Sequence, residues 1–544
     1  MNSKLTAFGA RQTSDVWQDT TPVREELFGI ERLEQHAESL AAVQRVTDKP
    51  PAVSSLRVRL KDNAKTLLAA YRASAAELES GRGVVPAAEW LLDNYHLVEE
   101  QIREIRDDLP PGYYRQLPKL AEGPFAGYPR VFGIAWAFVA HTDSHFEPET
   151  LRRFVAAYQR VQPLTIGELW AVAITLRIVL VENLRRLADQ ITAGRAARAA
   201  ADALADRLLA PGGQPELVLN GELAALAAKP LSERFAGQLA KRLRDQDPRT
   251  TPALGWLEKQ LSLQRTSIDD VVHHAQQRQG ASNVTVRNVI TSMRLISDMD
   301  WADFFESVSL VDARLRAGSA FAAMDFATRN LYRSAIEQLA RGSALSEIEL
   351  AERALAAARA AVPADEGERA ADPGYHLIAG GRRAMEREIG FRPPPRVRLN
   401  RLGVRPGIGG YIASILVIAA IMLALGLWGL SALGLGGWWL VLFAAVGFLP
   451  GVETATALVN RAVTSLFGAT TLPGLELAEG IPPSLRTLVV VPTLLTAQSD
   501  LLDQVEHLEV HYLGSSNGDL TFALLLDGLD ADTETVDADA PLLA

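Results

Sequence analysis

The chain has no cysteine. That excludes disulfides and thiolate metal sites, and fits a reducing compartment without requiring one. Positive charge is in deficit. Against 65 Asp and Glu stand 55 Lys and Arg, a formal net charge of −10, so a nucleic-acid partner has no electrostatic support. The opening stretch MNSKLTAFGARQTSDVWQDT lacks an apolar core of signal-peptide length, so the residues ahead of the first long apolar run are expected not to be exported. No Gly-rich phosphate loop and no Ser/His/Asp arrangement stands out. What is present is ordinary in bulk: 48% hydrophobic and 22% charged over 544 residues, enough for two or three units.

Two apolar runs interrupt that ordinary texture. YIASILVIAAIMLALGLWGLSAL, residues 411–433, carries no charge and is long enough to cross a hydrocarbon core of ~30 Å at ~1.5 Å per helical residue. WWLVLFAAVGFLPGVETATALVN begins at Trp438-Trp439, and tryptophan favours the membrane interface. Length, charge-free centres and the Trp pair argue against a hairpin buried in a soluble core. The two runs are joined by the uncharged loop Gly434-Leu435-Gly436-Gly437. Arg392, Arg396, Arg398, Arg401 and Arg405 precede the first run and Arg461 follows the second, so the positive-inside rule places both flanks in the cytoplasm. Glu453, after the Pro450-Gly451 break, is either a functional intramembrane carboxylate or one that reaches headgroup water.

The long stretch before the runs reads as helical. Residues 1–50 are polar without a clear period and are expected to form a loosely docked leader. Leu91, Tyr95, Val98, Ile102 and Ile105 step by four and three, one helical stripe that Pro110-Pro111-Gly112 ends. LTIGELWAVAITLRIVLVENL, residues 164–184, resembles a span, but Glu168, Arg177 and Glu182 interrupt it and central charges are expensive in lipid. It is expected to be a core helix of a soluble domain. Residues 191–361 are rich in strong helix formers, with breaks at Pro211-Gly212-Gly213 and near residues 245–252. His273-His274 reads as a surface pair, and His141, Asp143 and His145 lack an identifiable further ligand for a metal.

Beyond the apolar runs the texture changes. RTLVVVPTLL is a continuous β-branched run, the pattern of a strand buried on both faces. SDLLDQVEHLEVHYL reads as a helix, with Asp500 as a possible cap and Asp503 in its first turn; a Ser515-Ser516-Asn517-Gly518 turn and a second strand, LTFALLLD, follow. Strand, helix, strand opens a parallel α/β sheet. Ligands of such sheets bind beyond the carboxyl ends of the strands, which here are Pro492, Thr493 and Asp527. Asp527 is either an acceptor for a ribose or uracil or a solvated loop aspartate.

LRTLVVVPTLLT followed by VEHLEVHYLGSSNGDLTFALLLDGLDA resembles the start of the glycosyltransferase domain of the cyclic β-1,2-glucan synthases. LDNYHLVEEQIREIRDDLPPGYYRQLPKLA, TSMRLISDMDWADFFESVSLVD, MDFATRNLYRSAIEQLA, GYHLIAGGRRAMEREIGFRPP and LVNRAVTSLFG resemble other parts of that family, in order, so that residues 85–544 are covered. The resemblance implies a bacterial inner-membrane enzyme that transfers glucose from UDP-glucose onto a growing β-1,2-glucan. It implies a GT-A-like transfer domain in which a DxD motif holds a divalent metal, Mg or Mn. Membrane lipid, the nucleotide sugar, the glucan and the remainder of the synthase are the implied partners. Asp530-Ala531-Asp532 and Asp537-Ala538-Asp539 look like DxD motifs but sit in an acidic run, DGLDADTETVDADA, expected to be a solvated loop, so no metal ligand is assigned.

The expected architecture is therefore mainly α. It comprises a polar leader (1–50), a cytosolic helical domain (51–400), a transmembrane hairpin (411–460), a linker (461–484) and the start of a truncated GT-A-like domain (485–544). The chain alone is expected to be inactive. The competing expectation is a non-catalytic, membrane-anchored helical scaffold.

Overall fold

In a computed structural model the described residues are 17–527 and 533, except 18, 82, 210–225, 227–229, 245–250, 362–366, 396, 399–400, 402–406, 468–471, 478, 495–496 and 516–517. The chain is mainly helical and divides into two compact units, Met1–Ala313 and Arg314–Ala544.

In the first unit, α1 (Ile30–Val43) buries Leu33, Ala37 and Ala41, and a short strand β1 (Val46–Thr47) follows. Next come α2 (Leu56–Glu79), α3 (Pro86–Asp93) and α4 (Tyr95–Asp108). Strand β2 (Lys119–Leu120) pairs antiparallel with β1, and α5 (Arg130–His141) and α6 (Pro148–Val161) follow. Helix α7 (Ile166–Leu209) runs for 44 residues. After it come α8 (Glu233–Leu243), α9 (Thr251–Leu263), α10 (Ile268–Asp298) and α11 (Trp301–Val308). Local chemistry starts several of these. Ser267 and Asp270 form a reciprocal capping box at α10, and Asp300 accepts from the Ala302 and Asp303 amides at α11.

The first half of α7 is an axis of this unit, and α2 and α5 pack on it. It is the apolar stretch that resembles a span, and it is buried in protein. Its interrupting charges are all partnered: Glu168 by Arg130 at 2.5 Å, Arg177 by Glu104 at 2.9 Å, and Glu182 by Arg59 at 2.9 Å and Arg186 at 3.0 Å. A charge that would be costly in lipid is tolerated in a protein core when paired and hydrogen-bonded. The second half of α7 joins α8, α9 and α10 around a separate apolar cluster that includes Leu204, Phe235, Leu239, Leu257 and Val271.

Two expectations differ from the structure here. The leader is not loosely docked from Asp19 onward. The Val23 amide donates to Asn183 Oδ1 at 2.7 Å, the Glu25 amide to the Ala140 carbonyl, and α1 packs against α6 with Glu34 bridging Arg153 and Arg160. Polar composition hid this, because the docking uses backbone groups and charge pairs. The stripe from Leu91 to Ile105 is buried throughout, yet it is split between α3 and α4 by Asn94, whose φ of −118° and ψ of 17° leave the helix. The Asn94 amide group bonds the Trp90 carbonyl and caps that break.

The second unit carries α12 (Phe326–Gly342), α13 (Glu347–Ala360) and α14 (Pro373–Ile378). Ser346 and Glu349 form a capping box at α13, and Asp372 takes hydrogen bonds from Tyr332 and the Gly374 amide. The apolar helices α15 (Gly407–Ala432) and α16 (Trp438–Phe467) pack on each other through Ile415, Ala419, Ala455 and Val459, with Tyr411 donating to Asn460 at 2.6 Å. Their turn needs left-handed backbone at Gly434 (φ +89°) and Gly437 (φ +62°), which only glycine adopts without strain. Pro450 lies inside α16 and removes one amide from its ladder. After α16 the chain clips onto the start of α12. Met324 and Leu475 form an antiparallel bridge, and the Gly474 amide donates to Thr328 Oγ1 at 2.7 Å.

The unit ends with β3 (Thr487–Leu494), α17 (Gln498–Gly514) and β4 (Leu520–Asp527), the strands pairing parallel. The expected burial of these strands on both faces is not observed. Along β3, half-buried and exposed residues alternate, with Leu488, Val490 and Leu494 exposed, and α17 buries no residue. A pair of strands with one helix has too little surface to cover both faces.

Candidate functional site

The parallel register sets Pro492 opposite Leu525, Thr493 opposite Leu526 and Leu494 opposite Asp527. The two carboxyl ends therefore finish side by side. They enclose an open pocket of about 450 Å³ lined by Pro492, Thr493, Leu494, Leu525, Leu526 and Asp527. All three residues singled out from the sequence lie in it. Their faces differ, because side chains alternate along a strand. Pro492 and Asp527 share the exposed face with Leu494 and Leu525. Thr493 and Leu526 are on the half-buried face. Chemically the pocket is an apolar wall with one carboxylate at its rim. Such a rim can accept hydrogen bonds from hydroxyl or N–H groups of a planar ligand laid on the prolyl and leucyl side chains. The leucines were missed in the sequence because lining by Leu494 and Leu525 depends on the inter-strand register, which one strand does not reveal.

Several of the other marked residues have structural partners. His141 stacks on Phe28 with ring centroids 4.0 Å apart, and its Nδ1 lies 2.8 Å from the Glu26 carbonyl. Asp143 accepts from Thr285 Oγ1 at 2.7 Å and faces Arg24. Asp143 and Ser144 hold left-handed backbone, φ 51° and 62°, and side chains of α10 anchor both carbonyls. This corner thus belongs to the packing of α10. His273 pairs with Gln277 on the surface. Glu453 is exposed on α16. Among the described residues no cluster of three His, Asp or Glu side chains has the geometry to hold a metal ion. Both DxD look-alikes lie outside the described residues.

Fold and site define a class: a mainly helical protein with two helices long and apolar enough to cross a membrane, followed by a parallel strand–helix–strand element with a strand-end pocket. Only 6% of each apolar window is buried, unlike a core helix. Within that class a specific relationship is evident. The chain is 38% identical over 542 residues to cyclic beta-(1,2)-glucan synthase NdvB of Rhizobium meliloti (strain 1021). The match covers 96% of this chain and 18% of that protein's length. The resemblance read from the sequence holds: the chain is related to the cyclic β-1,2-glucan synthases. No protein-family model matches the chain.

Proposed function

We propose that the chain is the N-terminal portion of a membrane-bound cyclic β-1,2-glucan synthase, a glucosyltransferase of the bacterial inner membrane that takes glucose from UDP-glucose. The observation that carries this reading is the identity extending over nearly the whole chain. On it, α15 and α16 cross the membrane with both flanks cytoplasmic, and the strand-end pocket is the uridine side of a GT-A-like donor site. Pro492 and Leu525 offer the apolar surface for the base, and Asp527 accepts from the base or ribose. Thr493, on the other face, supports the strand end. Sugar transfer also needs charge stabilisation for the departing diphosphate, a divalent metal on this reading, and a base on the acceptor hydroxyl. We assign neither to a residue of this chain, and the chain alone is expected to make no glucan.

Radiolabelled UDP-glucose added to membranes tests this. Membranes carrying the longer synthase should make glucan, and those carrying only these 544 residues should not. Asp527→Ala in the longer protein should raise KM through a loss of roughly 1.5–3 kcal/mol of donor binding, the worth of a hydrogen bond to a charged group. Glucan from the chain alone, or unchanged kinetics in the variant, refutes the assignment.

A further inference from the structure

The first unit contains a second cavity that the glucan-synthase reading does not use. A cleft of about 490 Å³ opens among α3, α7, α8 and α10, a volume typical of small-ligand sites. Arg198, Arg234, Lys241, Arg244 and Arg278 line it, against a single carboxylate, Glu233. Glu233 is engaged by Arg278, and Arg244 turns to Asp269. The nearby acids of α7 are also committed, Asp202 to Gln238 and Asp206 to Arg242. Arg198, Arg234 and Lys241 are left without a carboxylate partner among the described residues. This concentration of positive charge occurs in a chain of net charge −10, and a cleft focuses such a field.

One of these cations is held in place. The Arg234 guanidinium lies across α7, where Nη1 donates to the Gln190 carbonyl. It passes over Gly194, where an added Cβ would sit 3.2 Å from the Arg234 Cδ and Nη1. The glycine thus makes room for the arginine. Arg198 stands one helical turn further along the same face of α7. Burial, and then the charge of Arg198, hold the Arg234 guanidinium below its ordinary pKa. Two like charges kept close without a carboxylate between them favour an anion that bridges both. Guanidinium forks match the oxygen geometry of phosphate.

We propose that this cleft is a binding site for a small phosphate-bearing anion gripped by Arg198, Arg234 and Lys241. The same phosphate chemistry is offered by a free phosphate compound and by a phospholipid headgroup. The test is calorimetric titration of the full chain, purified in detergent at low salt, with inorganic diphosphate and with short-chain phosphatidic acid, phosphatidylcholine serving as the zwitterionic control. Saturable one-to-one binding of diphosphate, at least about ten-fold weaker in Arg198→Gln and in Lys241→Gln, is the expected result and identifies a free ligand. Binding of phosphatidic acid alone, lost in the same variants, supports the site with a headgroup as its occupant. Arg234→Lys, which retains charge but not the fork, should also weaken binding. Circular dichroism establishes that each variant is folded. Binding of neither anion, or binding that these substitutions leave unaltered, overturns the proposal.

Discussion

Glu182 sits at the centre of a buried polar cluster of the first unit. Its side chain is 1% exposed and takes hydrogen bonds from Arg59, Arg186 and Asn63, with Arg185 beside it. Burial alone would raise its pKa, but the Arg59 hydrogen bond and charge, with the charges of Arg186 and Arg185, outweigh it and leave the carboxyl lower than usual. Glu182→Gln strands several guanidiniums in the core, and loss of one partner of a buried pair costs roughly 3–5 kcal/mol. Urea titration of the full chain should show that drop as a lower midpoint; an unchanged midpoint would mean the cluster is not structural. His36 acts in a different pH window. Burial first, and then the neighbouring His141, lower its pKa from 6.5 to about 4. Between those values the unfolded chain binds a proton that the folded one does not, so stability rises with pH through the window and is lost as pH falls from 6.5 to about 4. His36→Phe should flatten that part of a melting-temperature profile, and an identical slope in the variant would count against it.

At the scale of elements, the hairpin of α15 and α16 is the part whose behaviour depends least on the rest. Its arginine-rich approach and uncharged Gly-rich turn predict both flanks in the cytoplasm. The absence of cysteine makes the test direct. Gly436→Cys should react with an impermeant thiol reagent on intact cells, and Glu479→Cys should react only after lysis. The reverse pattern would invert the topology. The element next to it was only partly legible. A β-branched run marked the first strand and the apolar run LTFALLLD the second, and both strands formed, but strand-like composition could not say how many neighbours would cover them. In the structure Leu488 and Leu525 are 58% and 60% exposed, because one helix cannot cover both faces of two strands. The split at Asn94 was equally hidden: a stripe at helical spacing looks continuous whether one residue leaves the helix or none does.

For the whole molecule, the apolar hairpin should dominate partitioning. The chain should stay with membranes through an alkaline carbonate wash, while a chain lacking residues 407–467 should be released. Release of the intact chain would show that the two helices do not span. The same scale explains how two similar-looking apolar stretches have opposite fates. Residues 164–184 and 411–433 both suggest a span by length, but the first has three charges and the second has none. Those charges find Arg130, Glu104 and Arg59 on other helices, so α7 is a core helix.

What the sequence by itself determined is one-dimensional or local. The length and charge of an apolar run, the arginines beside it and the order of strand, helix and strand all act within a few residues of one another. Those features could be read directly. What only the tertiary structure decided depends on pairs far apart in the chain. Val23 meets Asn183, Glu182 meets Arg59, and Arg234 crosses Gly194 to reach Gln190. The in-register pairing of β3 with β4 put Pro492 and Asp527 on one face and Thr493 on the other. Each of these is set by which surfaces pack together, and a residue's own neighbours in sequence carry no record of that choice.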